Sequence, residues 1–480
     1  MKFKCLIIPV VMCSLCHNFC FSQNSEIDSL KNVLLNAKED VKKIEIINEL
    51  SFGYYKNDCF DSSLHYAKYA LMLAEKINYT KGKGFALVNI SICLLHQYYT
   101  NWDSDKLNEC IKYCNTAFEI ALQTKNKILI GRTYSCFGEI ASFQHNYNKA
   151  LENYNKALDF YSKVGEKSLI ILALWDITLF YKEQNNYTVA LKYTYKTLKY
   201  SEETGDEKKI ADCYYLLGGI SKRNVNYIDA LKFYYKSLAI YKSLNKHFDA
   251  AWVSNAIADV YLEENKNSEA LTNYFFAEKI FQNPGGSKEG LPWSYNGIGR
   301  VYDLKGDSAK RAGNSQSAIS NFNVARNYYQ KSLEMYLTAG DSTWIADSYI
   351  YLCKVNIKLF NFKEAKRWLD NALALSKKIS DIYLLKSCYL LLSEFYSITG
   401  NYRLALDNYK TSVFYLDSIN SSEEIRESER IKLQYQFNKV EDSLKQNQLI
   451  TETKLQAQKN ESIFIGLALY CLGCFLFLCF

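Results

Sequence analysis

The chain has 480 residues, 48% of them apolar and 15% aromatic, with 20 Gly, 3 Pro, 15 Cys and 40 Tyr. That length allows about three domains of ~150 residues, and the proline scarcity excludes a collagenous or Pro-rich chain and suits long uninterrupted helices. The net charge of +7 and the 23% of charged residues exclude a disordered polyelectrolyte, and no Lys/Arg run marks a nucleic-acid binder, so no nucleic acid is expected as a partner.

Residues 1–22 read as a secretory signal peptide. Lys2 and Lys4 form a short positive region, an apolar stretch continues through Cys16, and Cys20-Phe21-Ser22 places small residues before a cleavage site after Ser22. The apolar run is too short to span a bilayer.

Residues 23–420 read as one domain in which the chain repeats itself, the copies covering roughly 40–420. Ala150-Leu151-x-x-Tyr154-x-x-Ala157-Leu158 returns as Ala190-Leu191-x-x-Thr194-x-x-Thr197-Leu198 and as Ala230-Leu231-x-x-Tyr234-x-x-Ser237-Leu238. It continues as Ala270-Leu271-x-x-Tyr274-x-x-Ala277, Ala365-x-x-x-Leu369-x-x-Ala372-Leu373 and Ala405-Leu406-x-x-Tyr409-x-x-Ser412. The first four copies stand 40 residues apart, as do the last two, and twelve residues before each lies another small residue: Gly138, Thr178, Gly218, Ala258, Cys353 and Ser393. Small residues at one site per helix let paired helices approach, and the Tyr and Leu beside them fill the gaps. Asn146-Tyr147, Asn186-Tyr187, Asn226-Tyr227, Asn361-Phe362 and Asn401-Tyr402 mark the turn inside each pair, with Asn expected in the left-handed conformation that ends a helix. Gly165-Glu166, Gly205-Asp206 and Gly340-Asp341 mark the turns between pairs.

On these residues the chain resembles the tetratricopeptide repeat (TPR) family. Weaker copies at Ser51/Tyr54 with Ser63/Ala67/Ala70, at Ser91 with Cys110/Cys114/Ala117 after a seven-residue insertion, and at Gly299/Tyr302 with Ala325/Tyr329/Ser332 across an insertion near 306–321 extend the array. The resemblance implies an all-α, right-handed superhelical α-solenoid of about nine 40-residue helix pairs. Two features depart from the common form: the closing proline is absent, and the period of 40 exceeds the usual value of about 34. The six extra residues are assigned to the second helix and the junction after it. Residues 283–292, Asn-Pro-Gly-Gly-Ser-Lys-Glu-Gly-Leu-Pro, hold two prolines and read as a hinge between the sixth and seventh repeats.

A stacked array leaves a concave groove lined by the first helix of each repeat. The positions that face this groove in the family fall here on Tyr215, Lys222 and Arg223, on Trp252, Asn255, Asp259 and Glu263, and on Trp293, Asn296, Arg300 and Asp303. Asn255 and Asn296 are expected to hold an extended peptide backbone, and Lys222, Arg223 and Arg300 its carboxylates. The alternative for any one of them is a solvated helix face. Most tyrosines fall on packing sites, and Cys110 and Cys114 read as core thiols. Phosphate loops, dinucleotide fingerprints, GxSxG and HExxH are absent, so the chain is not expected to be an enzyme and no catalytic, cofactor-binding or metal-binding residue is expected.

Residues 421–461 are polar and helix-forming, with Ser421, Ser422, Glu423 and Glu424 as a helix start. Leu433, Phe437, Val440 and Leu444 make a short apolar seam, either for a coiled-coil homodimer through 425–460 or for docking on the last repeat. Residues 463–480 carry no charged or amide side chain and are expected, as part of a helix over 462–480, to cross the membrane once. With a cleaved leader this places the repeats in the periplasm, anchored in the inner membrane. The order of leader, repeats, polar helix and span resembles the input half of Gram-negative sensor proteins. Three functions follow as expectations: a membrane-anchored binder of protein or peptide ligands in sensing or envelope assembly, a sensor histidine kinase or helix-turn-helix regulator lacking its output domain, or a structural envelope scaffold.

Overall fold

A computed structural model describes residues 25–419, apart from 39, 58, 102–103 and 284–289, together with residue 431. The chain divides into two units, Met1–Ser421 and Ser422–Phe480, and all the elements below belong to the first. The expected signal peptide over 1–22, the expected helix and seam over 421–461 (residue 431 apart) and the expected membrane span over 462–480 fall outside the described residues. Among the described residues no helix is long and apolar enough to cross a membrane.

Those residues form nineteen helices. Helix α1 (Ser25–Leu35) precedes nine antiparallel pairs. The pairs are α2 (Val41–Lys56) with α3 (Phe60–Lys76), α4 (Thr80–Asn101) with α5 (Ser104–Thr124), and α6 (Lys127–Phe143) with α7 (Tyr147–Val164). Next come α8 (Lys167–Glu183) with α9 (Tyr187–Thr204), α10 (Glu207–Arg223) with α11 (Tyr227–Ser243), and α12 (His247–Glu263) with α13 (Asn267–Phe281). The last three are α14 (Gly290–Arg311) with α15 (Ser315–Ala339), α16 (Ser342–Lys358) with α17 (Phe362–Ile379), and α18 (Ile382–Ile398) with α19 (Tyr402–Ile419). Each second helix packs on its own first helix and on the first helix of the next pair, and successive first helices also touch one another, as in α2–α4–α6 and α10–α12–α14. The fold is therefore the all-helical solenoid that the repeat pattern implies.

The small-residue rule works as its chemistry requires. The Cα of Gly138 lies against the Tyr154 ring, so closely that a Cβ there would overlap it. Ala150, Ala157, Ala190, Ala230, Ala270 and Ala277 are fully buried at helix crossings, and Tyr154, Tyr234, Tyr274 and Tyr329 are buried beside them. Polar small residues at the same sites stay satisfied by donating across the pair: Ser51 Oγ to Ser63 O at 2.9 Å and Ser237 Oγ to Ala211 O at 2.9 Å.

Three sequence expectations change in detail. First, the asparagines of the intra-pair turns do not adopt the left-handed conformation. The residue before each does, at His145, Asn185, Val225, Phe360 and Gly400. Asn146, Asn186 and Asn226 instead cap the second helix, accepting the N–H of Lys149, Val189 and Asp229 at 3.2–3.3 Å. An N-cap leaves orphan N–H donors within reach of a short side-chain oxygen, and that reward outweighs the milder left-handed tolerance of Asn. The inter-pair glycines behave as read, since Gly165, Gly205 and Gly340 end helices at φ 79, 71 and 78.

Second, the long period resides in the helices and not in the junctions. In the third repeat the first helix has 17 residues, the second 18, and only Gly165 and Glu166 separate it from the next. Likewise, the insertion expected near 306–321 is not a loop. It carries α14 to 22 residues and α15 to 25, and the second repeat extends α4 to 22 and α5 to 21. Longer helices keep every added backbone group hydrogen-bonded, which a loop would not.

Third, the expected hinge is pinned at its far end. Gly290, Leu291 and Pro292 form the first turn of α14, where Pro lacks only an N–H that would be orphaned anyway. Ser332 Oγ donates to Pro292 O at 2.8 Å, and Gly290 Cα packs on the Phe281 ring.

The array also turns back on itself. Lys208 Nζ, on α10, donates to Lys56 O at 2.9 Å, and Lys246 Nζ, before α12, to Asn57 Oδ1 at 3.3 Å. Both acceptors lie where α2 ends, four repeats before α10, so successive superhelical turns meet through long basic side chains.

Candidate functional site

The groove residues expected from sequence lie on three neighbouring first helices: Tyr215, Lys222 and Arg223 on α10, Trp252, Asn255 and Asp259 on α12, Trp293, Asn296 and Arg300 on α14. Asp259 is their electrostatic centre and is 7% exposed. Lys222 Nζ reaches its Oδ2 at 2.9 Å, Arg300 Nη1 reaches its Oδ1 at 3.2 Å, and the Tyr274 hydroxyl donates to the same Oδ1. Arg300 Nη2 also donates to Glu263 Oε1 at 2.8 Å. Burial by itself pushes the Asp259 carboxyl up, but Lys222 and Arg300 together overcome it and hold the group below the usual carboxylate range. The same burial, joined by the Asp259 charge, pushes the Tyr274 phenol well up.

The run of charges continues along the solenoid. Lys358 Nζ, on α16, bridges Asp303 Oδ2 at 2.8 Å and Asp307 Oδ2 at 2.7 Å. Basic and acidic groups therefore alternate across α10, α12, α14 and α16. Lys222 and Arg300 are engaged by the protein's own carboxylates, which differs from the free carboxylate receptors expected from sequence. Arg223 is engaged differently. Its guanidinium lies 4.2 Å from the Tyr187 ring centroid and 4.6 Å from that of Tyr383, so it joins α10 to α18 across four repeats.

The two asparagines also have internal tasks. Asn255 is fully buried, its Nδ2 donating to Gly290 O at 3.1 Å and its Oδ1 accepting from Ser294 Oγ at 2.9 Å. Asn296 is 4% exposed and donates to Ser348 Oγ at 3.4 Å. Asn48 repeats the Asn255 contact in the first repeat, donating to Gly82 O at 3.0 Å. All three stand three residues before the small residue of their first helix; Asn48 and Asn255 tie it to the start of the next first helix, and Asn296 to Ser348 in the body of α16. The signal was present in sequence, in the Gly found 34 or 35 residues after Asn48 and Asn255.

Aromatic side chains form a row beside these charges. Trp252 and Trp293 are partly exposed and lie 5.3 Å apart, centroid to centroid, and Trp293 stacks on Trp344 at 6.4 Å. Phe281 closes one end of the row at 5.9 Å from Trp252, and Tyr336 the other at 5.8 Å from Trp344. Tyr215, half-buried, packs on Tyr234 at 5.8 Å, and burial pushes its phenol up. Sequence reasoning found two of the three tryptophans. Trp344 was missed because it precedes the positions that face the groove in the family.

Elsewhere on the first helices, Lys209 Nζ sits 4.3 Å from the Trp175 ring centroid and 2.7 Å from Asp212 Oδ2. Among the described residues no cluster of three or more His, Cys, Asp or Glu side chains is arranged to hold a metal ion. Cys93, Cys110, Cys114, Cys136, Cys213, Cys353 and Cys388 are buried free thiols. Burial raises the Cys93 and Cys388 thiols to about 11, the opposite of what a reactive cysteine needs.

No protein-family model matches the sequence, and no curated protein matches it. Solved structures do. The apo form of the quorum sensor NprR from B. thuringiensis is 14% identical, with a TM-score of 0.52 over 82% of this chain and 98% of that one. A STAND protein with a tetratricopeptide repeat sensor, PH0952 from Pyrococcus horikoshii, is also 14% identical, with a TM-score of 0.48 over 78% of this chain and 52% of that one. The apo form of RapI is 19% identical, with a TM-score of 0.48 over 60% of this chain and 98% of that one. The protein shares with NprR a fold, and that fold is a TPR-type helical-repeat solenoid.

Proposed function

We propose that this protein is a non-catalytic recognition module that takes a protein or peptide ligand along its first helices, centred on α12, α14 and α16. The observation that carries the reading is the row Trp252–Trp293–Trp344, partly exposed and set beside the Lys222–Asp259–Arg300–Glu263 run of charges. Large rigid aromatics supply contact area at little entropic cost, and polar groups already fixed by one another lose little freedom on binding. The likeness in fold to a quorum sensor is consistent with ligand sensing. Because the interaction surface spans several repeats, binding would change solenoid curvature.

We further propose that the repeats face the periplasm, that 462–480 anchors them in the inner membrane, and that 421–461 relays the change. The leader-like residues 1–22 and the uncharged run 463–480 support that placement. A photo-crosslinking amino acid at position 293 of the full-length protein in membranes tests the surface. Adducts that form there, and weaken when Trp252→Ala is added, are the expected result. Equal crosslinking from Lys156, exposed on the second helix α7, would sink the assignment.

A further inference from the structure

Three of the buried thiols meet at one point. Ser91 Oγ, on α4, lies 3.2 Å from Cys110 Sγ on α5 and 3.2 Å from Cys136 Sγ on α6. The Cys136 thiol is hydrogen-bonded to Cys110 and also to Cys114, one turn further along α5. All four side chains are fully buried where α4, α5 and α6 pack on one another.

The repeat pattern explains the convergence. Cys110 and Cys114 occupy the positions that Ala270 and Tyr274 hold four repeats later, and Cys136 the position of Gly297. There the Tyr274 ring lies on the Gly297 Cα, so closely that a Cβ would overlap it. In repeats two and three the pairing of a large side chain with none is replaced by side chains of middle size that face each other. Close packing is kept, and the new neighbours are thiols. Two adjacent thiols can lose two electrons and two protons and join as a disulfide, provided a disulfide oxidant accepts them. The exchange needs a thiolate. Here the hydrogen bond with Cys136, together with burial, pushes the Cys110 thiol far up, so the folded helices neither make such a bond nor open it readily. The step belongs to folding, before α5 and α6 close.

We propose that Cys110 and Cys136 form a disulfide when repeats two and three fold in the presence of a small-molecule or protein disulfide, cross-linking α5 to α6. One cysteine thiolate attacks the oxidant and releases its first thiol; the other attacks the mixed disulfide and releases the second. The two protein protons end on the oxidant's two thiols, which are reduced as the protein is oxidised. Cys110 is the partner because it shares Ser91 with Cys136, whereas Cys114 Sγ turns to Thr133 O at 3.7 Å. The site is separate from the tryptophan row and needs no ligand.

The test opens the full-length protein in urea and detergent, then returns it to native buffer with oxidised and reduced glutathione. Acid quenching, alkylation of free thiols and digestion without reductant follow. Mass spectrometry should find the Cys110 and Cys136 peptides linked, with the buried Cys213 on α10 alkylated as an internal control. The oxidised protein should melt about 4 °C above the same protein held in dithiothreitol. Cys110→Ala installs the residue that other repeats carry at this position, so it should fold and lose the rise, while Cys213→Ala should keep it. Alkylation of both Cys110 and Cys136, a Cys114–Cys136 bond in place of the expected one, or a rise that survives Cys110→Ala would overturn the proposal. A linked pair without any rise in Tm would remove its role in holding the two repeats together.

Discussion

Two stretches of the first-helix surface solve the same electrostatic problem in opposite ways. Around α12, the buried Asp259 receives Lys222, Arg300 and Tyr274, and each charge has a geometrically close partner. Around α6, the buried Arg132 has two neighbouring rings, a carboxylate out of bonding range and two donor nitrogens with no acceptor among the described residues. A closed network rigidifies and is costly to break, whereas a half-satisfied one is costly to keep. The comparison teaches that a charge on a solenoid surface says little by itself; what matters is whether neighbouring repeats complete it.

The largest test of that contrast is Asp259→Asn. It strands Lys222 and Arg300 beside a neutral group and should cost about 3 kcal/mol, the low end for a broken buried pair because both cations are partly exposed. A lowered urea midpoint, with faster amide exchange in α12 and α14, is the readout. Gly297→Ala comes next. Its Cβ would overlap the Tyr274 ring, the residue that donates to Asp259, so the change should cost about 2 kcal/mol by overpacking. If its effect simply adds to that of Asp259→Asn, Tyr274 does not couple the two sites.

Asn255→Ala removes the donor to Gly290 O and the acceptor of Ser294, and should cost about 1–2 kcal/mol with the loss centred on the start of α14. Unchanged exchange there would return Asn255 to the ligand. A pH series follows. Burial raises the Asp347 carboxyl to about 6, so the fold favours its neutral form. Its contribution is complete below about pH 4, where the unfolded carboxyl is also protonated, and is lost as pH rises through 6. Asp347→Asn should therefore flatten the stability profile between pH 4 and 7 and gain about 1 kcal/mol at pH 7. The smallest effect is expected at the other region. Arg132→Met should change stability by under about 1 kcal/mol, or raise it, because nothing well paired is broken. A loss matching that of Asp259→Asn would erase the distinction between the two stretches.

Much of this protein was legible in its sequence. The 40-residue period, the small residues at 138, 178, 218, 258, 353 and 393, and the Tyr and Ala of each second helix specify helix pairs and their crossings, because close packing needs those volumes at those intervals. The glycines at 165, 205 and 340 specify where helices stop, since left-handed backbone favours a residue without Cβ. Period and volume are local properties that survive translation into structure residue by residue.

What only the tertiary structure decided is which polar side chains are already used. Lys222 and Arg300 lie 37 and 41 residues from Asp259, and Arg223 reaches Tyr383 across four repeats. Nothing in a single repeat announces such partners. Asn255 and Asn296 share one repeat position, yet one is satisfied at both ends and the other keeps an oxygen without a donor among the described residues. Repetition determines the scaffold because each helix pair sees nearly the same neighbours. It leaves the chemistry of the surface open, because hydrogen bonds and ion pairs depend on distances of a few tenths of an ångström that are set only when the repeats stack and the solenoid turns back on itself.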